Sequence, residues 1–212
     1  MRTDSEYRPE WDTEICPEDR PCRRKPEKNE ERECCEFKKH PMPKKILLEC
    51  GFNPQDAFFE TEHGYMRPHQ SFILDRVTVD TSCFCKPLVK LEFSSLIVFE
   101  AIAFELSVPR QKVDGEEKIE VELLFELIRN CDCNEEIVQN WKFKKEIEVR
   151  SVDKLEVEIS EPFTVTACDR VCPDCCVYKM KVTLKETRGI FKDLRVIKPN
   201  LSALAQDTAS RC

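Results

Sequence analysis

Apolar and polar residues alternate along most of the chain after Lys45, with the period of two that is typical of β-strands. The clearest run extends from Ile119 to Leu127, where every second residue is apolar and most of the others are glutamate. An extended chain places this apolar set on one face, whereas a helix would scatter it around its axis. Similar runs occur at 46–48, 77–79, 89–93, 141–149, 155–159, 163–165 and 178–184. The pattern predicts about eight to ten strands.

Turn-forming residues separate these runs, and no long segment with helical periodicity lies between them. Clear turn signals are Asp114-Gly115, Pro173-Asp174 and Arg188-Gly189. Strands joined by short turns, without intervening helices, pack as two antiparallel sheets. We therefore expect an all-β fold, an antiparallel two-sheet sandwich that is jelly-roll-like, over residues 46–212.

Residues 1–45 have a different composition, with many charges of both signs, many prolines and no glycine. A segment with so few large apolar side chains cannot bury enough surface to fold alone. We interpret it as a flexible N-terminal connector arm, whose cysteines can reach outside their own domain. A disordered leader with incidental cysteines is the alternative. The cysteines of the arm are Cys16, Cys22, Cys34 and Cys35.

Charge, glycine content and motifs argue against several classes of function. A net charge of −7 gives no broad attraction to nucleic acid or to an anionic membrane, and no apolar run is long enough to cross a bilayer. With only 4 glycines, a phosphate-binding loop has little support. Hydrolase and metalloprotease motifs are absent, and His40, His63 and His69 are interpreted as loop residues. We predict a protein that is not an enzyme and has no cofactor, nucleic-acid partner or membrane partner.

Cysteine is the exceptional residue of this chain. A chain with its own apolar core does not need 14 cysteines for folding. The N-terminus has no secretory signal pattern, so we expect synthesis in a cytoplasm. There, many cysteines usually indicate metal binding or redox chemistry, unless the protein later meets an oxidising environment by another route.

The cysteines of the predicted sandwich occur in groups. They are Cys83-Phe84-Cys85, Cys131-Asp132-Cys133 and a cluster of Cys168, Cys172, Cys175 and Cys176, with Cys50 near the start of the domain and Cys212 as the last residue of the sequence. On a strand, a Cys-x-Cys pair directs both sulfurs to one face about 7 Å apart, which suits two partners better than one ion. The spacing of Cys172 and Cys175 is that of half a zinc site. Disulfides within and between chains, a metal site and free buried thiols all remain open.

The stretch from Val77 to Ser95, centred on Cys83-Phe84-Cys85, resembles the signature of an uncharacterised cysteine-rich domain family of spore-forming Clostridia. Further matches are the turn around Cys131, the run Trp141-Lys142-Phe143, the cluster from Cys168 to Cys176 and residues 200–205. The resemblance covers residues 46–206. The charged arm departs from the shorter, proline-rich leaders of that family.

The whole design is also similar to the endospore appendage pilins of bacilli, in which a flexible cysteine-bearing connector bonds a jelly-roll domain to neighbouring subunits. This resemblance implies a structural, self-assembling subunit of an endospore appendage, a pilus-like fibre, or of a spore-surface layer. The implied partners are copies of itself in a helical fibre and other spore-surface proteins. The implied location is the spore surface, where the protein meets oxidants after lysis of the mother cell.

The same resemblance implies which cysteines form interchain disulfides, although it assigns no pairs. The candidates are Cys16, Cys22, Cys34 and Cys35 of the arm, with acceptors among Cys83, Cys85, Cys131, Cys133, Cys168, Cys172, Cys175 and Cys176. One alternative is a zinc-stabilised spore-coat or cytoplasmic binding protein that uses Cys168, Cys172, Cys175 and Cys176 as ligands. Another is a carbohydrate- or protein-binding sandwich displayed on spores.

Overall fold

The computed structural model describes residues 46–104, 118–131, 134–148, 154–172 and 174–208, and the predicted arm, residues 1–45, lies outside them. It confirms the all-β prediction, because every element in these ranges is a strand. The strands are β1 (Ile46–Cys50), β2 (Ala57–Phe58), β3 (Thr61–Glu62), β4 (Tyr65–Met66), β5 (Ser71–Asp80), β6 (Pro87–Phe104), β7 (Lys118–Cys131), β8 (Asn134–Glu148), β9 (Lys154–Arg170), β10 (Cys175–Arg188) and β11 (Ile190–Asp207). The described residues contain no helix that could span a membrane.

The strands form two antiparallel sheets. The first sheet has the order β1-β11-β6-β9, with the short β2 also beside β11, and the second has the order β5-β10-β7-β8. The hairpin β3–β4 is a separate two-stranded sheet. When β2, β3 and β4 are left out, consecutive strands alternate between the sheets, except that β7 and β8 are neighbours in the second sheet. This is the strand order of a jelly roll, which confirms the predicted class.

The core lies between the two sheets and follows the alternation seen in the sequence. In β7, the side chains from Ile119 to Leu127 at odd positions are buried, as the pattern predicts. Phe125 stacks on Phe163 of β9 with ring centroids 4.1 Å apart, and it also contacts Phe93 of β6. These aromatic contacts join strands of opposite sheets, so they hold the sandwich together.

Two strand assignments differ from the sequence pattern. The runs at 155–159 and 163–165 belong to one continuous strand, β9, with Pro162 inside it. The pattern did not predict β11, because its pairing with β6 shifts register after Phe191 and again after Ile197. Each irregularity interrupts the inward and outward alternation that a period-two reading depends on. The predicted turn at Gly189 is confirmed, and its φ of 100° is a conformation that favours glycine.

A buried carboxylate ties the sheets together where β1 ends. Asp75 of β5 accepts hydrogen bonds from the backbone N–H groups of Leu201 and Arg76, each at 2.8 Å. Gly51 follows β1 directly, and its N–H donates to the carbonyl of Leu201 at 2.6 Å. A Cβ on Gly51 would lie 2.1 Å from Asp75 Oδ2, so only glycine fits there without a shift. This contact fixes the position of Cys50, the last residue of β1.

Candidate functional site at the cysteine-bearing end of the sandwich

Strand register brings most of the described cysteines to one end of the sandwich. We call it the cysteine end: β5, β7, β9 and β11 finish there, and β1, β6, β8 and β10 begin there. All the described candidates lie at it, namely Cys83, Cys85, Cys131, Cys168, Cys172, Cys175 and Cys176. The other candidates, Cys16, Cys22, Cys34, Cys35 and Cys133, lie outside the described residues. Ile46 pairs with Gln206, so the chain also enters the sandwich at this end.

The Cys83-Phe84-Cys85 segment lies in the connection between β5 and β6. The expectation of a strand with both sulfurs on one face is therefore wrong at this pair. Phe84 is buried in the core, and its N–H donates to the carbonyl of Thr81 at 2.9 Å, which closes a turn. The buried aromatic ring holds the loop against the core, and Cys83 beside it is exposed.

Hydrogen bonds fix this loop from both sides. The N–H and the hydroxyl of Thr81 donate to the carbonyl of Asp174, at 2.8 and 2.9 Å, which ties it to the start of β10. On the other side, the N–H groups of Cys85 and Lys86 donate to the Asp207 carboxylate at 3.0 and 3.1 Å. These hydrogen bonds hold the backbone of the β5–β6 loop in place at the cysteine end.

One disulfide is formed within this end of the chain. Cys131 of β7 and Cys176 of β10 are directly opposite in register, with their Cα atoms 4.5 Å apart, and their sulfurs are bonded. This corrects the assignment of both residues as interchain candidates, because neither sulfur is available to a neighbouring chain. Cys85 is also disulfide-bonded.

The same disulfide removes one of the four ligands of the zinc alternative. That alternative needs the thiolate of Cys176 as one of four ligands, and this sulfur is already bonded to Cys131. Across the residues that the structure describes, no group of three or more His, Cys, Asp or Glu side chains is arranged to hold a metal ion.

A buried polar network lies beside the disulfide, and the sequence interpretation missed it. Tyr178 of β10 donates its hydroxyl proton to Asp169 of β9 at 3.0 Å, and Arg129 of β7 contacts the same carboxylate oxygen at 2.7 Å. Burial raises the pKa of Tyr178, and the negative charge of Asp169 raises it further. The tyrosine is therefore a neutral donor that joins the two sheets. An acidic residue at an inward position of β9 is the signal that could have revealed this network.

Three described cysteines, Cys50, Cys168 and Cys172, carry free and exposed thiols. Cys168 is near the end of β9 and Cys172 follows that strand, whereas Cys50 ends β1 and was not among the predicted candidates. Exposed thiols can exchange with disulfides, because both the attacking sulfur and the incoming disulfide are accessible. The sequence reveals Cys50 as a strand residue but does not indicate which face it occupies.

The histidines do not contribute to this chemistry in the described part of the chain. His63 lies in the β3–β4 turn and His69 lies between β4 and β5, which confirms that both are loop residues. The neighbouring Gly64 accepts a hydrogen bond from the N–H of Phe191, at the start of β11. This is the opposite end of the sandwich, so neither histidine can activate a thiol at the cysteine end.

Fold and site together define a class: a jelly-roll protein with a disulfide and accessible thiols gathered at one end. A family model described as "Domain of unknown function (DUF4489)" matches residues 44–206, and the chain belongs to this family. No curated protein matches the sequence. One similar solved structure is that of infectious bursal disease virus Gx strain, at 8% identity and a TM-score of 0.30. The match covers 78% of this chain and 37% of the other, and a likeness this weak carries no functional argument.

Proposed function

We propose that this protein is a structural, self-assembling subunit of an endospore appendage, a pilus-like fibre, or of a spore-surface layer. In this proposal, cysteines of the N-terminal arm form disulfides with cysteines of neighbouring sandwiches. The proposal rests on one observation, namely that the entry of the chain into the sandwich and two exposed thiols lie at the same end. The arm joins the sandwich at Ile46, at the same end where Cys168 and Cys172 present exposed thiols.

Chain length permits contact between subunits. Cys35 precedes Ile46 by 11 residues, and an extended chain of that length spans at most about 40 Å. A compact domain of this size is about 40 Å across, so a thiol at that position can reach a sandwich that lies directly against its own. Earlier cysteines of the arm, such as Cys16, have still more chain with which to reach.

The two redox environments of a spore protein account for the free thiols. The subunit is made reduced inside the mother cell, and it meets oxidants only when that cell lyses. Subunits can then assemble before their bonds form, and the disulfides make the assembly permanent. Exposed lysines on the outward faces, such as Lys142 and Lys144, keep the surface hydrated and cover the glutamates with which they pair. The sandwich has a structural role here rather than a catalytic one.

Gel electrophoresis of alkylated native material, with and without reductant, tests the covalent assembly. We expect a high-mass ladder that collapses to the 24.9 kDa chain only on reduction. A variant with Cys16, Cys22, Cys34 and Cys35 all replaced by serine should lose the arm-dependent bands, and Cys212→Ser serves as a control outside the arm. A monomer band in both lanes of the wild-type protein would contradict the proposal.

Location needs its own test. Antibody labelling of intact spores and of lysed mother cells should place the protein on fibres or on the outer spore surface. Label confined to the cytoplasm before lysis, with none on mature spores, would reject the spore part of the proposal while leaving covalent assembly to be judged by the gel.

A further inference from the structure

The two edges of the first sheet have complementary directions. Within the described chain, β1 and β9 pair on one side only, so each leaves its other side open. Three antiparallel pairings separate them, from β1 to β11, β6 and β9, so β1 and β9 run in opposite directions. If a second copy continues the sheet by translation, its β9 therefore lies antiparallel to β1 of the first.

Each of these edge strands carries an exposed thiol on the same outer face of the sheet. In β9, Ala167 and Asp169 point into the sandwich and are buried, so Cys168 between them points outward. In β1, Cys50 is exposed and alternates with the half-buried Glu49. The row of cross-strand partners that begins at Cys50 in β1 crosses β11 and β6 and ends at Thr166 in β9. Thr166 lies two residues before Cys168. The two thiols therefore lie near the same level of the sheet, at opposite edges.

These two thiols cannot bond within one chain. Three inter-strand spacings separate β1 from β9, which is about 14 Å. A disulfide requires Cα atoms within about 7 Å. A bond between Cys50 and Cys168 must therefore join two chains while the sheet is intact.

The backbone at Cys50 is ready to accept another strand. Because the N–H of Gly51 donates to Leu201 in β11, the preceding residue points its own N–H and carbonyl towards the open edge. The outward side chains beside this edge are apolar: Ile46 is 65% exposed, Leu48 is 67% exposed and Leu204 is 41% exposed. An open strand edge with exposed apolar residues and no lysine or proline favours pairing with another strand.

We propose that β1 of one copy pairs with β9 of the next copy and that an interchain disulfide joins Cys50 to Cys168. This inference rests on the proposed function, because its partner is a second copy of the chain. The Cys131–Cys176 disulfide has the same arrangement, since it joins opposite residues of antiparallel neighbours. The register also places Glu49 beside Asp169, whose charge Arg129 of its own chain already compensates. The contact is heterologous and does not close, so repetition extends the sheet into a fibre.

Forming this bond requires an oxidant, and a small-molecule disulfide such as glutathione disulfide supplies it. The thiolate of one cysteine attacks that disulfide and releases one small thiol. The second cysteine then attacks the mixed disulfide and releases the other. Two protein S–H bonds are lost, one S–S bond forms, and the two electrons and two protons leave with the small thiols.

The test uses the full chain with Cys16, Cys22, Cys34 and Cys35 replaced by serine, so that arm-dependent bonds are removed. After oxidation with glutathione disulfide, this protein should still form a ladder on a non-reducing gel. Adding Cys50→Ser or Cys168→Ser should remove at least nine-tenths of that ladder, and Cys172→Ser, which replaces an exposed thiol outside both edges, should retain it. Mass spectrometry of the digested ladder should identify a peptide pair that joins Cys50 to Cys168.

A mixing experiment tests the head-to-tail geometry. In the same background, the Cys50→Ser chain keeps the β9 thiol of this pair and the Cys168→Ser chain keeps the β1 thiol. Mixed and oxidised, they should form a dimer that does not grow further through this contact, while neither chain links to itself. A ladder that persists in both single variants, or that maps to other cysteines, would overturn this inference but leave the proposed function standing. Monomers from the unaltered wild-type chain would overturn both.

Discussion

At the scale of single residues, close approach and burial decide which side chains are allowed at the end of β1. Gly51 has the carboxylate of Asp75 and the carbonyl of Leu201 where a Cβ would stand. Asp75 is almost fully buried, and its two backbone hydrogen bonds only partly compensate for lost hydration. Neither constraint is visible in the sequence, since the three residues are far apart along the chain.

Gly51→Ala should destabilise the protein by about 2 kcal/mol, because the new methyl group must displace Asp75 or the backbone at Leu201. Urea unfolding followed by tryptophan fluorescence measures this change. Thr166→Ala, at an exposed position of β9, is the control and should stay within about 0.5 kcal/mol of the wild type. Equal midpoints for Gly51→Ala and the wild type would show that this site is not tightly packed.

Asp75 also predicts a pH dependence. Burial raises its pKa above the ordinary value of 3.8, so the folded state holds a proton that the unfolded state has already lost. The stability that Asp75 contributes is therefore complete below pH 3.8 and is lost as the pH rises through the pKa of Asp75 in the folded state. Unfolding free energies of the wild type should therefore contain a decline with pH beginning near pH 4 that Asp75→Asn lacks. Asp193→Asn, at a partly exposed position of β11, should keep the decline, and identical profiles for all three proteins would refute the assignment.

At the scale of elements, the two halves of the open edge of β9 differ in how readily another strand can pair with them. Pro162 lies inside the strand and has no N–H to donate, and the nearby Glu161 forms an ion pair with Lys145 of β8. Both features discourage strand addition in the first half of β9. The second half, which contains Cys168, has no proline, and the charge of its inward-pointing Asp169 is already paired with Arg129 of β7. The open part of the edge is thus the part that carries the exposed thiol.

The disulfide between β7 and β10 should contribute strongly to stability. Cys131 and Cys176 are 45 residues apart, and a cross-link over that separation restricts the unfolded chain by about 4 kcal/mol. Replacing both by alanine should lower the unfolding free energy by roughly 2 to 4 kcal/mol under non-reducing conditions, as measured by urea denaturation. Cys168→Ser, which removes a free thiol, should have little effect. If the double variant unfolded at the wild-type midpoint, the bond would contribute nothing to folding.

At the scale of the whole molecule, the cysteines are distributed unevenly. The disulfide of Cys131 with Cys176 stabilises one sandwich, whereas Cys50, Cys168 and Cys172 remain accessible on its surface. The disulfide between Cys131 and Cys176 therefore contributes to folding. The three accessible thiols are available for bonds between copies of the chain.

Assembled material should therefore resist dissociation in a way that depends on redox state and not on metal. We expect light scattering of oxidised fibres to persist in concentrated urea and in chelator, and to fall when reductant is added. Non-covalent assemblies prepared from alkylated subunits serve as the control and should dissociate in urea alone. Loss of scattering on addition of chelator without reductant would indicate that metal holds the subunits together.

The sequence by itself determined the all-β class and most of the strands, though not β11, because the alternation of apolar and polar residues is a local property that an extended chain converts into two faces. It also indicated Cys83 to Cys85 and the cluster from Cys168 to Cys176 as the important groups. The tertiary structure alone decided that Cys131 pairs with Cys176 and that Cys50 shares a face with Cys168. Strand pairing joins residues that are distant in the chain, and no local pattern records which strands become neighbours or which edges stay open.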